Sequence, residues 1–490
     1  MRFPRGEEER TEAHALMESL VDEDARLARL RGIDLGPALE HAIFVALRQR
    51  KADDSEPPSV PGGPFASVAP YARLGLAAAR SLRPRRSPWN GGILVAVETE
   101  IHGRLLAPVA RELATRGRPL THVVVTSRAE LTDEAAFASV RHLTDWLDPG
   151  WLPALVTHAT HVQRRVARAT RRWTKVDPVR AAVLRRFATA ALPRLALTAA
   201  RLDSLVSRLQ PSALAAFNES GIWGRLVPAV AHAHRLPALD LPHAEAADPW
   251  GTMGVGYDKL AVYGPRAAEV LHHAGIVDER IVQVGAVRYD RLVREYAHTY
   301  REQPDGPRRI VFASAPAIVG ALWMTPHIKA EVVRAVMVAA AAVAPAEVII
   351  KPHPTERDRV TDDTLAEMTI PEGVEVRIER ARDLHDLLPE AWMLITGASQ
   401  SVFDAAIIGI PSITVNPSGG ASWITFAQEG LAVGASDGPS AAAAAKDLLD
   451  PDHRRAAVMR AREALTARLG ELDGHAAERT ADLIIGLAAR

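Results

Sequence analysis

The sequence predicts an α/β chain made of two successive doubly wound units. Three observations carry that reading. From Gly92 onward, short apolar or β-branched runs alternate with helical stretches. Several of those runs, such as Val348-Ile349-Ile350, are apolar at every position, as parallel strands buried on both faces are. Polar and ionisable residues follow the ends of such runs, and open α/β sheets bind ligands at the carboxyl ends of their strands.

Residues 7–52 read as helical, acidic at the start, with Leu16, Leu20, Leu27 and Leu30 at helical spacing. Asp53 to Pro64 is polar with four prolines and reads as a linker. Residues 1–85 are thus expected to be a helical appendage and linker, with an oligomerisation or partner element as the sharper alternative. The first strand series is Ile93–Val97, His122–Thr126, Ala213–Phe217, Pro237–Leu241, Lys259–Tyr263 and Ile281–Val284. The second is Arg309–Ala313, Val348–Lys351, Val374–Ile378, Met393–Thr396 and Ser412–Val415. Pro304-Asp305-Gly306-Pro307 separates them. The expected division is therefore 1–85, 86–303 and 304–490.

At 490 residues the chain exceeds one ordinary core. Apolar content of 48% with 24% charged residues describes a soluble globular protein. The formal net charge is +0, which gives no whole-protein attraction to nucleic acid. Without cysteine there are no disulfides, thiolate metal sites or thiol nucleophiles. The N-terminus lacks the apolar core of a signal peptide, and no apolar run is long enough for a transmembrane helix. A cytoplasmic protein is expected. Arginine outnumbers lysine 53 to 6, so Lys351 stands out.

One segment departs from neutrality. Residues 161–210 hold 12 Lys and Arg against Asp177 and Asp203, a net of 12 − 2 = +10. Arg164, Arg165, Arg168, Arg171 and Arg172 cluster near Trp173. A solvated helix face competes here with an anionic acceptor or peripheral contact at the inner membrane face. Nucleic acid is disfavoured, because no interleaved aromatic platform accompanies the cations.

The chemistry concentrates in residues 348–416. Lys351-Pro352-His353-Pro354 closes one strand, and its prolines fix the loop that carries Lys351 and His353. Thr396-Gly397-Ala398-Ser399-Gln400-Ser401 closes another, placing Ser399 and Ser401 where a helix begins. A cation, an imidazole and hydroxyls at a helix N-terminus make a phosphate pocket. Asp404, three residues after Ser401, fits a capping box. There is no P-loop and no Gly-x-Ser-x-Gly elbow, which disfavours kinase and esterase readings. His232, His234, His272 and His273 lack an accompanying acid–His helix motif, so no metal is expected.

Taken in order, these motifs resemble bacterial GT-B glycosyltransferases, and most of all the group of capsule polysaccharide transferases, polysialyltransferases and CDP-glycerol glycerophosphotransferases. Asn218-Glu219-Ser220-Gly221 followed by Arg225 resembles the acidic-Gly motif of the sialyl and capsule enzymes. Leu236 to His243 resembles a segment that ends in His-Gly, with Ala244 in place of the glycine. Val284 to Asp290 resembles a Gly-x-x-x-x-Asp turn closing the N-terminal half. The Lys-Pro-His-Pro and Ser399-Gln400-Ser401 segments resemble the His-Pro and Ser-Ser motifs that hold the donor nucleotide, with Gln400 separating the serines.

The resemblance implies two Rossmann-like domains facing a cleft. It implies a nucleotide-activated donor held by Lys351, His353, Ser399, Ser401 and Asp404, the last through the ribose. No cofactor or metal is implied beyond that donor substrate. The base is His243 or Glu219, with His353 stabilising the leaving phosphate. Glu100, His102 and Arg225 fall on the side of a glycan, lipid-linked or small-molecule acceptor. Two rivals stand beside this reading. One is a non-hydrolysing UDP-N-acetylglucosamine 2-epimerase-like isomerase, whose Asp-Ser-Gly-Gly run is absent here. The other is a catalytically silent nucleotide-sugar-binding protein.

Overall fold

The computed structural model describes the chain apart from residues 1–6, 24, 53–91, 99, 118–121, 126–139, 176, 188–190, 218–221, 246–248, 298–305, 318–323, 355, 398, 419–424 and 490. The linker read at 53–64 and the Asn218 to Gly221 motif lie outside the described residues. The chain divides into two compact units, residues 1–287 with 475–490 and residues 288–474.

In the first unit the helices are α1 (Glu7–Glu23), α2 (Gly36–Ala52), α3 (Glu100–Thr115), α4 (Trp151–Trp173), α5 (Pro178–Arg186), α6 (Leu192–Leu209), α7 (Trp223–Ala233) and α8 (Pro265–His273). A short antiparallel pair, Arg29–Leu30 with Ile33–Asp34, interrupts the expected helix of 7–52. The strands of the main sheet are β1 (Ile93–Val97), β2 (His122–Val125), β3 (Val140–His142), β4 (Ala213–Phe217), β5 (Ala238–Leu241), β6 (Lys259–Val262) and β7 (Ile281–Gln283). They pair in the order β3-β2-β1-β4-β5-β6-β7, all parallel. Strands β1 and β4 are buried at every position, as their unbroken apolar sequences require.

The second unit starts with α9 (Asp290–Tyr296). It continues with β8 (Arg308–Ala313), α10 (Pro326–Ala342), β9 (Ala346–Lys351), α11 (Val360–Glu367), β10 (Val374–Ile378), β11 (Met393–Thr396), α12 (Ser401–Ile408), β12 (Ser412–Val415) and β13 (Val433–Ala435). Helices α13 (Gly438–Asp447) and α14 (Pro451–Leu469) end it. The parallel order is β10-β9-β8-β11-β12-β13. In both sheets the chain winds outward from a central strand, then returns past it to build the other half. The order reverses between β1 and β4 in the first unit, and between β8 and β11 in the second.

Two expected boundaries move. Residues 7–52 are not an appendage. Leu16, Leu20, Leu27, Leu30, Leu39 and Phe44 lie in one buried cluster with Val183, Leu205, Leu226 and Tyr257. Polar ties reinforce it: Arg10 donates to Met253 O at 3.0 Å, and Arg31 donates to Gly150 O at 2.6 Å. The units also part at Val287 rather than at 304, and the last helix, α15 (Ala476–Ala488), returns to the first unit. Ala481, Ile484 and Leu487 of α15 pack in a cluster with Val95 and Val97 of β1 and Leu106 and Leu113 of α3. Gly285, at φ +86°, makes room for this docking: a Cβ there would lie 2.8 Å from Arg479 Nη2 and 3.1 Å from Ala476 Cβ.

Candidate functional site

In the second unit, β8 ends beside both β9 and β11. Ser314 N donates to Lys351 O at 3.0 Å, and Thr396 Oγ1 donates to Ala313 O at 2.8 Å. Three carboxyl ends are thereby held side by side at the strand-order reversal. The loop after β9 rests on a buried ion cluster that sequence reasoning missed. Lys329 of α10, 1% exposed, contacts Glu356 Oε1 at 2.8 Å and Asp358 Oδ1 at 2.7 Å. Glu356 Oε2 accepts from His353 N at 3.2 Å, and Asp358 Oδ2 accepts from Ala317 N at 2.9 Å. One ammonium therefore braces the loop after β8 and the loop carrying His353. Its carboxylates are more than charge partners, since each also caps backbone N–H groups.

His353 itself is exposed at its loop. Crowding by neighbouring atoms lowers its pKa from the ordinary imidazole value, and Glu356 opposes that shift. The neutral ring, with one N–H donor, is thus favoured at neutral pH. Lys351 diverges from the expected pocket. Its Nζ donates to Arg380 O at 3.1 Å, beyond β10, on the flank of β9 away from β8 and β11.

Helix α12 begins at Ser401 as expected, but its first N–H groups are engaged internally. Ser399 N donates to Thr396 Oγ1 at 3.2 Å, Ser401 N to Ser399 Oγ at 3.2 Å and Phe403 N to Gln400 O at 2.9 Å. What remains for an anion is the helix dipole and hydroxyls: Ser401 Oγ and Ser314 Oγ are buried and unpartnered among the described residues. Asp404 takes neither expected role. The N-cap is Gln400 with no side-chain cap bond, so the capping box does not form. Asp404 is fully buried, and its Oδ1 accepts from His385 Nε2 at 2.7 Å, so it is not displayed as a ribose ligand. Gly409 ends the helix at φ +90°, the left-handed turn that Ile410-Pro411 then leads into β12.

In the first unit the residues at the strand-order reversal converge more closely. His102 lies in the first turn of α3 after β1, Phe217 ends β4, and His243 follows β5. The His102 ring stacks on Phe217 with centroids 4.9 Å apart and meets the edge of His243 at 5.4 Å. His102 Nδ1 accepts from Glu98 N at 3.3 Å, which fixes the tautomer with the proton on Nε2. Burial, with a smaller contribution from the neighbouring His243, lowers the His102 pKa to about 3. His102 is therefore a neutral, oriented wall for His243 at all physiological pH values.

The other sequence candidates fall elsewhere. Arg225 is buried and donates to Gly251 O at 2.6 Å and to Met253 O, so it clamps a turn and does not face an acceptor. Glu100 begins α3 and pairs with Arg104 at 2.8 Å, as an acid favoured by the helix N-terminus does. Glu219 lies outside the described residues. Among the described residues, no group of three or more His, Asp or Glu is placed to hold a metal ion. No described helix is long and apolar enough to cross a membrane.

No protein-family model matches the chain, and no curated protein matches its sequence. Solved structures do match. MnaA of S. aureus, solved with UDP, aligns with 82% of this chain and 98% of its own at 13% identity and a TM-score of 0.52. The UDP-GlcNAc 2-epimerase of Neisseria meningitidis, bound to UDP-GlcNAc, aligns with 81% and 100% at 10% identity and a TM-score of 0.50. Alr3699/HepE of Anabaena, in complex with UDP and glucose, aligns with 82% and 100% at 11% identity and a TM-score of 0.50. Likeness at these identities concerns the fold, and it does not single out the capsule and sialyl group. With two parallel Rossmann-like sheets in succession and these structural counterparts, the chain is an α/β protein of the GT-B fold.

Proposed function

We propose that the chain is a glycosyltransferase-like enzyme. It moves a sugar, sialyl or polyol-phosphate group from a nucleotide-activated donor to a cell-envelope or secondary-metabolite acceptor, without a resident metal. One observation carries the reading: in both sheets, candidate groups cluster where the strand order reverses. The second unit holds the donor. The neutral His353 offers an N–H to the departing phosphate oxygen, and the α12 dipole with Ser401 and Ser314 offsets the negative charge that grows there. The first unit supplies the base. His243 takes the acceptor hydroxyl's proton as that oxygen bonds to the transferred group. The donor's bond to phosphate breaks and its electron pair leaves with the nucleotide. Glu219 is the alternative base. The structures of like fold solved with UDP or UDP-GlcNAc favour a uridine nucleotide.

Calorimetric titration with CMP, CDP, UDP, GDP and dTDP tests the donor half. One nucleotide is expected to bind, with affinity reduced about tenfold in His353→Ala. His243→Ala is expected to lower turnover by about 10²–10⁴ while nucleotide affinity holds. Full activity in both variants would remove the proposed site. A second reading is favoured by the like-folded 2-epimerase: an isomerase acting on a nucleotide sugar alone. Turnover without any acceptor would select it, and nucleotide binding without turnover would select a silent binding protein.

A further inference from the structure

We propose that the exposed face of α4 docks the first unit onto an anionic lipid bilayer. Helix α4 is sharply two-sided. Trp151, Leu155, Ala159, Val162 and Val166 are buried in the core of the first unit. On the opposite face Arg164, Arg168 and Arg171, with Lys175 just beyond the last turn, are all exposed. Their spacings of four, three and four residues place them within about 60° of arc, along a stripe about 16 Å long.

The stripe is uncompensated. Helix α4 contains no Asp or Glu. Among the described residues, none of these four cations makes an ion pair. Of the two acids of residues 161–210, Asp203 is held by Trp151 Nε1 at 3.0 Å and His234 at 2.8 Å, and Asp177 directly precedes the next helix. The helix dipole accounts for cations in the last turn, so it explains Arg171 and Lys175 but not Arg164 or Arg168. Because the chain is neutral overall and this segment carries +10, the remainder carries −10, and the positive charge is gathered on one region.

A lipid surface fits this face better than nucleic acid does. The stripe is straight and lies on a regular helix. Exposed Pro153 continues the stripe toward the N-terminus, and Val156, at 59% exposure, lies beside it. Apolar groups beside cations suit the boundary between headgroups and acyl chains. No aromatic group among the described residues of that face offers a stacking platform for bases.

The test is co-sedimentation of the full chain with vesicles of phosphatidylcholine alone or of phosphatidylcholine with phosphatidylglycerol. Binding is expected only with phosphatidylglycerol present, and it is expected to fall as salt rises. Each cation near such a surface contributes about fivefold, so the triple variant R164Q/R168Q/R171Q is expected to bind about 100-fold more weakly. A matched melting curve for the variant shows that folding is unaffected, since all three side chains are exposed. Equal binding to both vesicles, no binding to either, or an unchanged affinity in the folded variant would overturn the proposal. Tighter binding to a duplex oligonucleotide than to the anionic vesicles would assign the face to nucleic acid and overturn it too.

Discussion

His102 and His41 are both buried and neutral, with pKa values lowered from 6.5 to about 3 and about 2. Burial dominates each shift; His243 adds to the first, and Arg225 and Arg10 to the second. Below pH 6.5 the unfolded chain takes up protons that the folded chain refuses, so stability is full above that pH and falls as the solution is acidified toward pH 3. Between pH 7 and pH 5 each histidine is expected to remove about 2 kcal/mol. Urea unfolding at the two pH values checks this. H102N and H41N should each lose about 2 kcal/mol less on acidification than the parent chain, and an equal loss would mean that the rings are not held neutral. His102 and His243 were legible in the sequence as separate candidates because each follows an apolar run. Their meeting was not legible, since it depends on β4 inserting between β1 and β5.

At the scale of elements, the loops after β8 and β9 are tied together through Lys329. Removing one member of a buried ion cluster leaves the rest uncompensated, so Lys329→Met is expected to cost about 3–5 kcal/mol in urea unfolding. Adding E356Q and D358N to that variant should recover part of the loss, because no buried charge is then unpaired. The strand runs, the Lys-Pro-His-Pro loop and the start of α12 were readable from apolar patterning and proline placement. Lys329 was not, because in sequence a buried lysine on a helix looks like any surface one. Lys351 misled for the opposite reason. Its rarity in an arginine-rich chain drew attention, yet the pleat and the neighbouring strand direct its amine to Arg380 O.

For the whole molecule, succession of two parallel sheets followed from strand–helix alternation alone. The division did not, because a linker rich in proline and glycine marks a bend in the chain without saying which core the flanking helices join. Helices α1, α2 and α15 all complete the first unit. A chain stopped after Gly474 should therefore leave the apolar surface of β1 and α3 uncovered. It is expected to accumulate as insoluble protein, with limited proteolysis of the soluble fraction sparing residues 288–474. A soluble, fully folded first unit without α15 would contradict this.

The docking seat at Gly285 also sets a timetable for synthesis. The groove that receives Arg479 and Ala476 is finished as soon as Val287 leaves the ribosome, but its occupant lies beyond the whole second unit. At about 5–20 residues per second, the intervening stretch takes about 10–40 s to translate. Through that interval the nascent first half presents an open hydrophobic seam to holdase chaperones. The codons for α15 thus act as the closure signal for a module whose sheet was complete long before.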